Sequence, residues 1–192
     1  MKVPKKIAVF ASGSGTNAEN IIRYFAHSEK AIVSLVLTNN PSAGVIDRAK
    51  KLEVPCIVFT RNDFFETEKI INILAENKID FVVLAGFLWL VPIKLIHAFQ
   101  KKIINIHPAL LPGVGGKGFY GNRVHQAVLE GKNLLSGITI HFVDEKFDEG
   151  EIIFQAACHI SKEDTVESLA AKVHSLEYTY FPVVIEKILG RV

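Results

Sequence analysis

Two polar side chains interrupt an apolar stretch in the middle of the chain, and their types and spacing could do chemistry. The stretch Ile103–Gly113 reads I-I-N-I-H-P-A-L-L-P-G, so Asn105 and His107 alternate with the β-branched residues of a buried strand. Alternation puts both side chains on one face, and Pro108 ends the strand just after them. Ligands bind at such strand ends in open α/β sheets. An amide beside an imidazole could stabilise an oxyanion and move a proton. The alternative is a buried pair satisfied by neighbouring backbone.

A glycine-rich loop is the second candidate. Ser12–Asn17 (S-G-S-G-T-N) lies between a predicted strand, Lys6–Ala11, and a predicted helix, Ala18–Phe25. Thr16 or Asn17 is expected to cap that helix, whose free N–H groups and dipole attract an anion. The loop therefore predicts phosphate binding. It is neither a dinucleotide fingerprint, because no acidic residue ends the next strand, nor a P-loop, which needs a lysine after the second glycine. The alternative is a turn that only packs strand on helix.

Two carboxylates could complete such a site. Asp148 lies in a short connection, where a carboxylate alone is more often a solvated turn former. Beside His107 it would favour the charged imidazole, raise its pKa and fix its orientation. Glu177 lies at the margin of an apolar helix face, where a charge is costly unless it is paired, so a substrate amine or a lysine is expected there. His125 and His141 are interpreted as structural histidines.

The elements that must position these residues alternate between strand and helix. Strands are predicted at Lys6–Ala11, Ala31–Thr38, Cys56–Phe59 and Phe81–Ala85, and helices at Ala18–Phe25, Ser42–Leu52, Asp63–Asn77 and Ile93–Phe99. Such alternation is typical of a doubly wound, mostly parallel sheet.

The C-terminal part of the chain departs from this alternation. Gly113–Gly121 is predicted to be a glycine-rich loop, followed by a helix at Val124–Leu129. Strands at Gly137–Val143 and Ile152–His159 are too close in sequence for a helical crossover and should run antiparallel. A capping box of Asp164 and Glu167 is expected to begin the last helix. We therefore expect an α/β fold with about seven strands and an antiparallel strand near the C-terminal half.

Composition narrows the function classes. The 192 residues are 49% hydrophobic, which suits one domain over 1–192. The net charge of +2 comes with scattered basic residues, so nucleic-acid binding is not predicted. No run approaches the about 18 apolar residues of a membrane span, and no signal peptide is recognised. Cys56 and Cys158 are interpreted as reduced thiols in a cytoplasmic protein. The histidine spacing predicts no metal site.

Four motifs together resemble the phosphoribosylglycinamide formyltransferase family of folate-dependent enzymes. They are S-G-S-G-T-N, V-L-A-G-F, N-I-H-P-A-L-L-P-G and D-E-G-E-I-I-F-Q, in that order along nearly the whole chain. The resemblance implies the family's formyltransferase fold and a cis bond between Leu111 and Pro112. Trp89 stands where relatives often have an arginine, no arginine near Phe64–Lys69 matches the one that holds the folate tail, and the Gly113–Gly121 loop is longer than usual.

The resemblance also implies roles for individual residues. The catalytic residues would be Asn105, His107 and Asp148. Substrate phosphate and amine would be bound by Gly15, Thr16, Asn17, Gly86 and Glu177. The folate pocket would be formed by Leu88, Trp89, Leu90, Val91, Val143, Asp144 and Phe147.

The activity that the resemblance implies is transfer of the formyl group of 10-formyltetrahydrofolate to the amine of glycinamide ribonucleotide, in purine biosynthesis and without a metal. The protein would be a monomer or a homodimer. Formyltetrahydrofolate deformylase, which would use the same residues on water, is the nearest alternative; it typically has an extra N-terminal domain. Methionyl-tRNA formyltransferase would need a basic C-terminal domain. A non-catalytic nucleotide-binding module is the remaining class, and the Asn–His–Asp set argues against it.

Overall fold

The computed structural model describes residues 3–116 and 118–190, and these residues form one seven-stranded sheet flanked by helices. The strands are β1 Lys5–Phe10, β2 Ala31–Thr38, β3 Cys56–Val58, β4 Phe81–Leu84, β5 Ile103–His107, β6 Leu135–Phe142 and β7 Ile152–His159. The helices are α1 Thr16–Phe25, α2 Val45–Lys51, α3 Arg61–Phe65, α4 Lys69–Glu76, α5 Ile93–Ala98, α6 Asn122–Glu130 and α7 Val166–Leu189. None of the described helices is both long and apolar enough to cross a membrane.

The strand order is β3-β2-β1-β4-β5-β6-β7. Strands β1 to β5 pair in parallel, whereas β6 is antiparallel to both β5 and β7. The predicted mostly parallel sheet with an antiparallel strand is therefore confirmed. Because the chain turns in opposite directions after β1 and after β4, the switch point of the sheet lies between these two neighbours, and ligands bind at the carboxyl ends of strands there.

Two hydrophobic clusters cover the two faces of the sheet. Helices α1, α2, α6 and α7 contribute to one cluster, and α3, α4 and α5 contribute to the other. In β5, Ile104 and Ile106 belong to the first cluster and Ile103 to the second. This alternation leaves Asn105 and His107 at the strand's end on the face of the second cluster, as the period of two requires.

Helix α2 begins at Val45 rather than at the predicted Ser42, and three further helix predictions are wrong. The predicted helix Asp63–Asn77 is two helices, because Thr60 and Asp63 form a capping box that begins α3 separately from α4. Helix α7 is capped by Thr165 with Ser168 rather than by Asp164 with Glu167. Asp164 accepts hydrogen bonds from the Ser161 N–H and from Lys172 instead.

The third correction concerns α1. Its N-cap is Gly15, with φ of 77°, and no side chain caps the helix; Thr16 and Asn17 are its first two residues rather than its cap. The cis bond between Leu111 and Pro112 is confirmed. Lys117, within the predicted glycine-rich loop, lies outside the described residues, as do the ends of the predicted 1–192 domain.

Candidate active site

A cavity of about 660 Å³ lies at the carboxyl ends of β1, β4 and β5, at the switch point of the sheet. It brings together most of the residues that the sequence singled out: Gly15, Thr16, Asn17, Gly86, Leu88, Trp89, Leu90, Val91, Asn105, His107, Val143, Phe147, Asp148 and Glu177. Asp144 is the exception, because it does not line this cavity; its carboxylate accepts the Lys146 N–H at 3.0 Å.

His107 is held by hydrogen bonding on one ring nitrogen. Its Nε2 lies 2.7 Å from the carbonyl oxygen of Val114, and a carbonyl only accepts, so Nε2 carries a proton. The residue is 3% exposed. Its Nδ1 lies 3.4 Å from Oδ2 of Asp148. The proton that His107 gains or loses is therefore the one on the side of the carboxylate.

Asp148 contacts several other residues of the site. Its Oδ2 accepts the Gly116 N–H at 2.9 Å, and Nδ2 of Asn105 lies 3.3 Å from its Oδ1. Its backbone has φ of 58°, a left-handed conformation that Asp and Asn tolerate better than most residues. Burial raises the pKa of the Asp148 carboxyl, but His141, His107 and the Gly116 N–H together lower this pKa by a larger amount. The net pKa is below the ordinary value, so the carboxyl group stays ionised.

His141 is the site residue that sequence reasoning missed. It lies directly across from Asn105 in the antiparallel pairing of β5 with β6. Its Nδ1 donates to the Phe142 carbonyl at 2.8 Å, and its Nε2 lies 3.1 Å from Nδ2 of Asn105. In the neutral ring this Nε2 accepts from Asn105, and in the charged ring it is a donor that can face Asp148. The same Nε2 is 3.5 Å from Oδ1 of Asp148. The available signal was a histidine in the strand predicted after the loop, but the register that opposes it to Asn105 is not visible in the sequence.

The pKa of His107 departs from the expectation. Burial, the largest influence, lowers it; the charge of Asp148 and the Val114 carbonyl raise it, and the net direction is downward. Asp148 therefore raises the pKa of His107, as expected, but the net pKa is lowered because burial has the larger effect. In the absence of a ligand the neutral imidazole is favoured. A negative charge developing beside the ring would favour its protonation.

The glycine-rich loop lies at the N-terminus of α1. Because α1 has no side-chain cap, its first N–H groups are open to an anion from the cavity. The loop is tied to the strand end of β4, since the Ser12 N–H donates to the Gly86 carbonyl at 3.0 Å and Ser12 Oγ accepts the Leu88 N–H at 3.1 Å.

Glu177 projects from α7 into the same half of the cavity. It is 5% exposed, and the partner that the sequence left unidentified is not a lysine: Nδ2 of Asn17 donates to Glu177 Oε2 at 2.8 Å. His174 Nε2 is 4.0 Å from the same oxygen. Burial raises the pKa of the Glu177 carboxyl, although Asn17 and His174 both oppose the shift.

An apolar rim forms another part of the cavity wall. Phe87 and Trp89 belong to a group of mutually contacting aromatic rings that also includes Phe59, Phe64 and Phe65. The Arg61 guanidinium stacks over Phe65 at 4.6 Å and over Trp89 at 5.9 Å. Leu88 is exposed at the rim.

The fold and the cavity define a doubly wound α/β protein with a cavity at the switch point of its sheet. Residues 5–185 match the family described as Formyl transferase. The chain is 41% identical over 187 residues to a chloroplastic phosphoribosylglycinamide formyltransferase of Arabidopsis thaliana, covering 94% of this chain and 64% of that protein. It is 38% identical over 192 residues to phosphoribosylglycinamide formyltransferase of Bacillus subtilis, covering 97% and 95%.

Solved structures agree with these relatives. The phosphoribosylglycinamide formyltransferase of Bacillus halodurans superimposes with a TM-score of 0.86 at 38% identity, covering 96% of this chain and 95% of that one. The chain therefore belongs to the formyl transferase family, and the relatives named above are phosphoribosylglycinamide formyltransferases.

Proposed function

We propose that this chain transfers the formyl group of 10-formyltetrahydrofolate to the amine of glycinamide ribonucleotide, a step of purine biosynthesis. Family membership supports a folate-derived formyl donor. The observation that carries the proposal is that one cavity is lined by an open helix N-terminus, by an apolar rim and by Asn105, His107 and Asp148. Two substrates bound in the two halves would meet at these three side chains.

The ribonucleotide would occupy the half formed by the glycine-rich loop and α7. Its phosphate would accept hydrogen bonds from the backbone of Gly15, Thr16 and Asn17, where the dipole of α1 favours an anion. Glu177 would bind the ammonium form of the substrate amine. A buried carboxylate held by one amide has capacity for a further donor, which a substrate cation would satisfy.

The folate would occupy the apolar half, with Gly86 at the boundary. Leu88, Trp89, Leu90 and Val91 follow β4 and face Val143 and Phe147, which come from the β6–β7 connection. A flat pterin ring fits between two such apolar segments. Asp144, which the resemblance included, contributes no surface to this half.

The chemistry requires one bond to form and one to break. The bound ammonium would first lose one proton to solvent. The amine nitrogen then attacks the formyl carbon and the carbonyl oxygen becomes an oxyanion. His107 and Asn105 would stabilise this oxyanion, Asn105 by turning one Nδ2 hydrogen towards it from Oδ1 of Asp148. The oxyanion favours the protonated imidazole, which compensates the downward pKa of free His107. The bond between the formyl carbon and the folate nitrogen then breaks. The proton lost by the amine reaches that nitrogen through Asp148 and His107, with water between them. In this scheme no step uses a metal.

The deformylase alternative is not favoured, because the relatives named above are transferases. The test is to supply formyl-tetrahydrofolate with and without glycinamide ribonucleotide and to follow loss of the formyl group. Loss that depends on the ribonucleotide, with appearance of its formylated product, is expected. Equally rapid loss without the ribonucleotide would identify a hydrolase.

We further propose that 1–192 forms a single formyltransferase domain that works in the cytoplasm. Strands near both ends of the chain, β1 and β7, belong to the same sheet, which supports one domain. Both cysteines, Cys56 and Cys158, are free thiols, as suits a reducing compartment.

A further inference from the structure

Helix α2 lies directly behind the glycine-rich loop. The Val45 N–H donates to the Gly13 carbonyl at 3.2 Å. A Cβ added at Gly15 would lie 2.5 Å from Cβ of Val45, so only glycine fits at this point of contact. The loop that faces the cavity is therefore shaped by a helix that does not itself line the cavity.

Arg48 of α2 also contacts this loop from behind, through its side chain. Its Nε donates to the Ser14 carbonyl at 2.8 Å. Ser14 and Gly15 line the cavity and Arg48 does not. Because C=O and N–H point in opposite directions in a trans peptide, holding the Ser14 carbonyl towards Arg48 turns the Gly15 N–H towards the cavity. Donation from a guanidinium also polarises that peptide and strengthens its N–H as a donor.

Glu19 fixes the orientation of the guanidinium. It lies in the first turn of α1 and its Oε2 accepts a hydrogen bond from Nη1 of Arg48. Its other oxygen, Oε1, accepts from Nε and Nη2 of Arg23 at 3.0 and 2.8 Å. Both arginines therefore share one carboxylate, but only Arg48 reaches the loop. A planar guanidinium can bind a carboxylate and a carbonyl at once in a fixed geometry.

We propose that Arg48 is a positioning residue for the ribonucleotide subsite: held by Glu19, it orients the Ser14–Gly15 peptide from behind the loop, so that the Gly15 N–H meets the substrate phosphate. The inference rests on the proposed function, because it takes the anion at the start of α1 to be the ribonucleotide's phosphate. It adds a residue outside the cavity that sets affinity for one substrate and not for the other.

The test compares Arg48→Met with a matched control, Arg23→Met, in the full chain. Arg23 binds the same carboxylate but makes no contact with the loop. In Arg48→Met we expect the KM for glycinamide ribonucleotide and the inhibition constant of inorganic phosphate each to rise about tenfold, the loss of one charge-assisted contact. The kcat at saturation and the KM for formyl-tetrahydrofolate should stay within about twofold, and Arg23→Met should leave all four constants within that range.

A purely structural role would not produce this split between the two substrates. The inference is overturned if Arg48→Met weakens both substrates equally, if its KM for the ribonucleotide is unchanged, or if Arg23→Met reproduces the effect. Should Arg48→Met not fold by circular dichroism, Glu19→Gln, which only loosens the guanidinium, is expected to raise the same two constants by a smaller factor. A parent protein without ribonucleotide-dependent formyl transfer would instead contradict the proposed function.

Discussion

Nδ1 of His107 lies 3.4 Å from Oδ2 of Asp148, and this pair connects the end of β5 to the β6–β7 connection. The other ring nitrogen of His107, Nε2, donates to the Val114 carbonyl, and the Gly116 N–H donates to Oδ2 of Asp148. The glycine-rich loop after β5 therefore supplies a partner to each member of the pair. Its described part contributes to the orientation of the acid–base groups as well as to the wall of the cavity.

Substituting Asp148 tests whether the pair acts as a unit. Asp148 raises the pKa of His107 against the larger effect of burial, so Asp148→Asn should lower that pKa further. The limb of the pH–kcat profile on which activity is lost as pH rises should then move to lower pH, besides an overall fall in kcat. The double variant Asp148→Asn with His107→Ala should be little worse than the poorer single variant. Losses that multiply, with that limb unmoved, would assign Asp148 an independent role.

Substituting Asn105 tests oxyanion stabilisation. Removing one preorganised donor typically costs about 10²–10³ in kcat, so Asn105→Ala should show a loss of that order. Both substrates should still bind with nearly unchanged dissociation constants, measured by calorimetry. A kcat within about threefold of the parent would remove Asn105 from the chemical step.

His141 supports Asn105 and Asp148 from the neighbouring strand without a direct role of its own in our mechanism. His141→Gln should therefore lower kcat by about two- to tenfold, the net effect of one hydrogen bond, with little change in either KM. The exposed His159 of β7 offers a matched control, and His159→Gln should leave kcat unchanged. Equal effects of the two substitutions would show that His141 has no special part.

Glu177 is expected to destabilise the unliganded protein and to strengthen binding of the ribonucleotide. Burial raises the pKa of the Glu177 carboxyl, so the ionised form destabilises the unliganded protein. The protonated carboxyl contributes its full stabilisation below the ordinary carboxyl pKa, and this contribution is lost as pH rises through the raised pKa of the folded state. Glu177→Gln should accordingly raise Tm at neutral pH. It should also raise the KM for the ribonucleotide at least about tenfold, through loss of a charge-assisted contact. A lower Tm together with an unchanged KM would contradict both parts.

His125 should make the protein less stable in mild acid. Burial lowers its pKa to about 4, so the unfolded state binds more protons between that value and the ordinary histidine pKa near 6.5. Stability is therefore present above about pH 6.5 and is lost as pH falls towards 4.

Urea unfolding at pH 7 and pH 5 measures this contribution. The parent should lose about 2 kcal/mol more than His125→Asn between the two pH values. His107, with its own lowered pKa, remains in both proteins and cancels in the comparison. Identical losses in the two proteins would show that His125 does not titrate as its burial requires.

The local sequence pattern was sufficient to predict much of the fold and part of the candidate site. The alternation of apolar strands and amphipathic helices predicted the parallel sheet, and the short link between β6 and β7 predicted their antiparallel pairing. Asn105 and His107 were placed at a strand end because the period of a strand and the effect of proline depend on neighbours in sequence. The loop before α1 was recognised for the same reason.

Relationships between distant segments were decided only by the tertiary structure. The register of β6 on β5 places His141 directly across from Asn105. The packing of α2 on the loop leaves room only for glycine at position 15 and places Arg48 in contact with the Ser14 carbonyl. The partner of Glu177 proved to be Asn17. The direction of the His107 pKa reverses because burial, a sum over every element packed around the ring, exceeds the effect of its one charged neighbour. Pairing register, packing and burial are properties of the assembled chain, and no short window of sequence contains them.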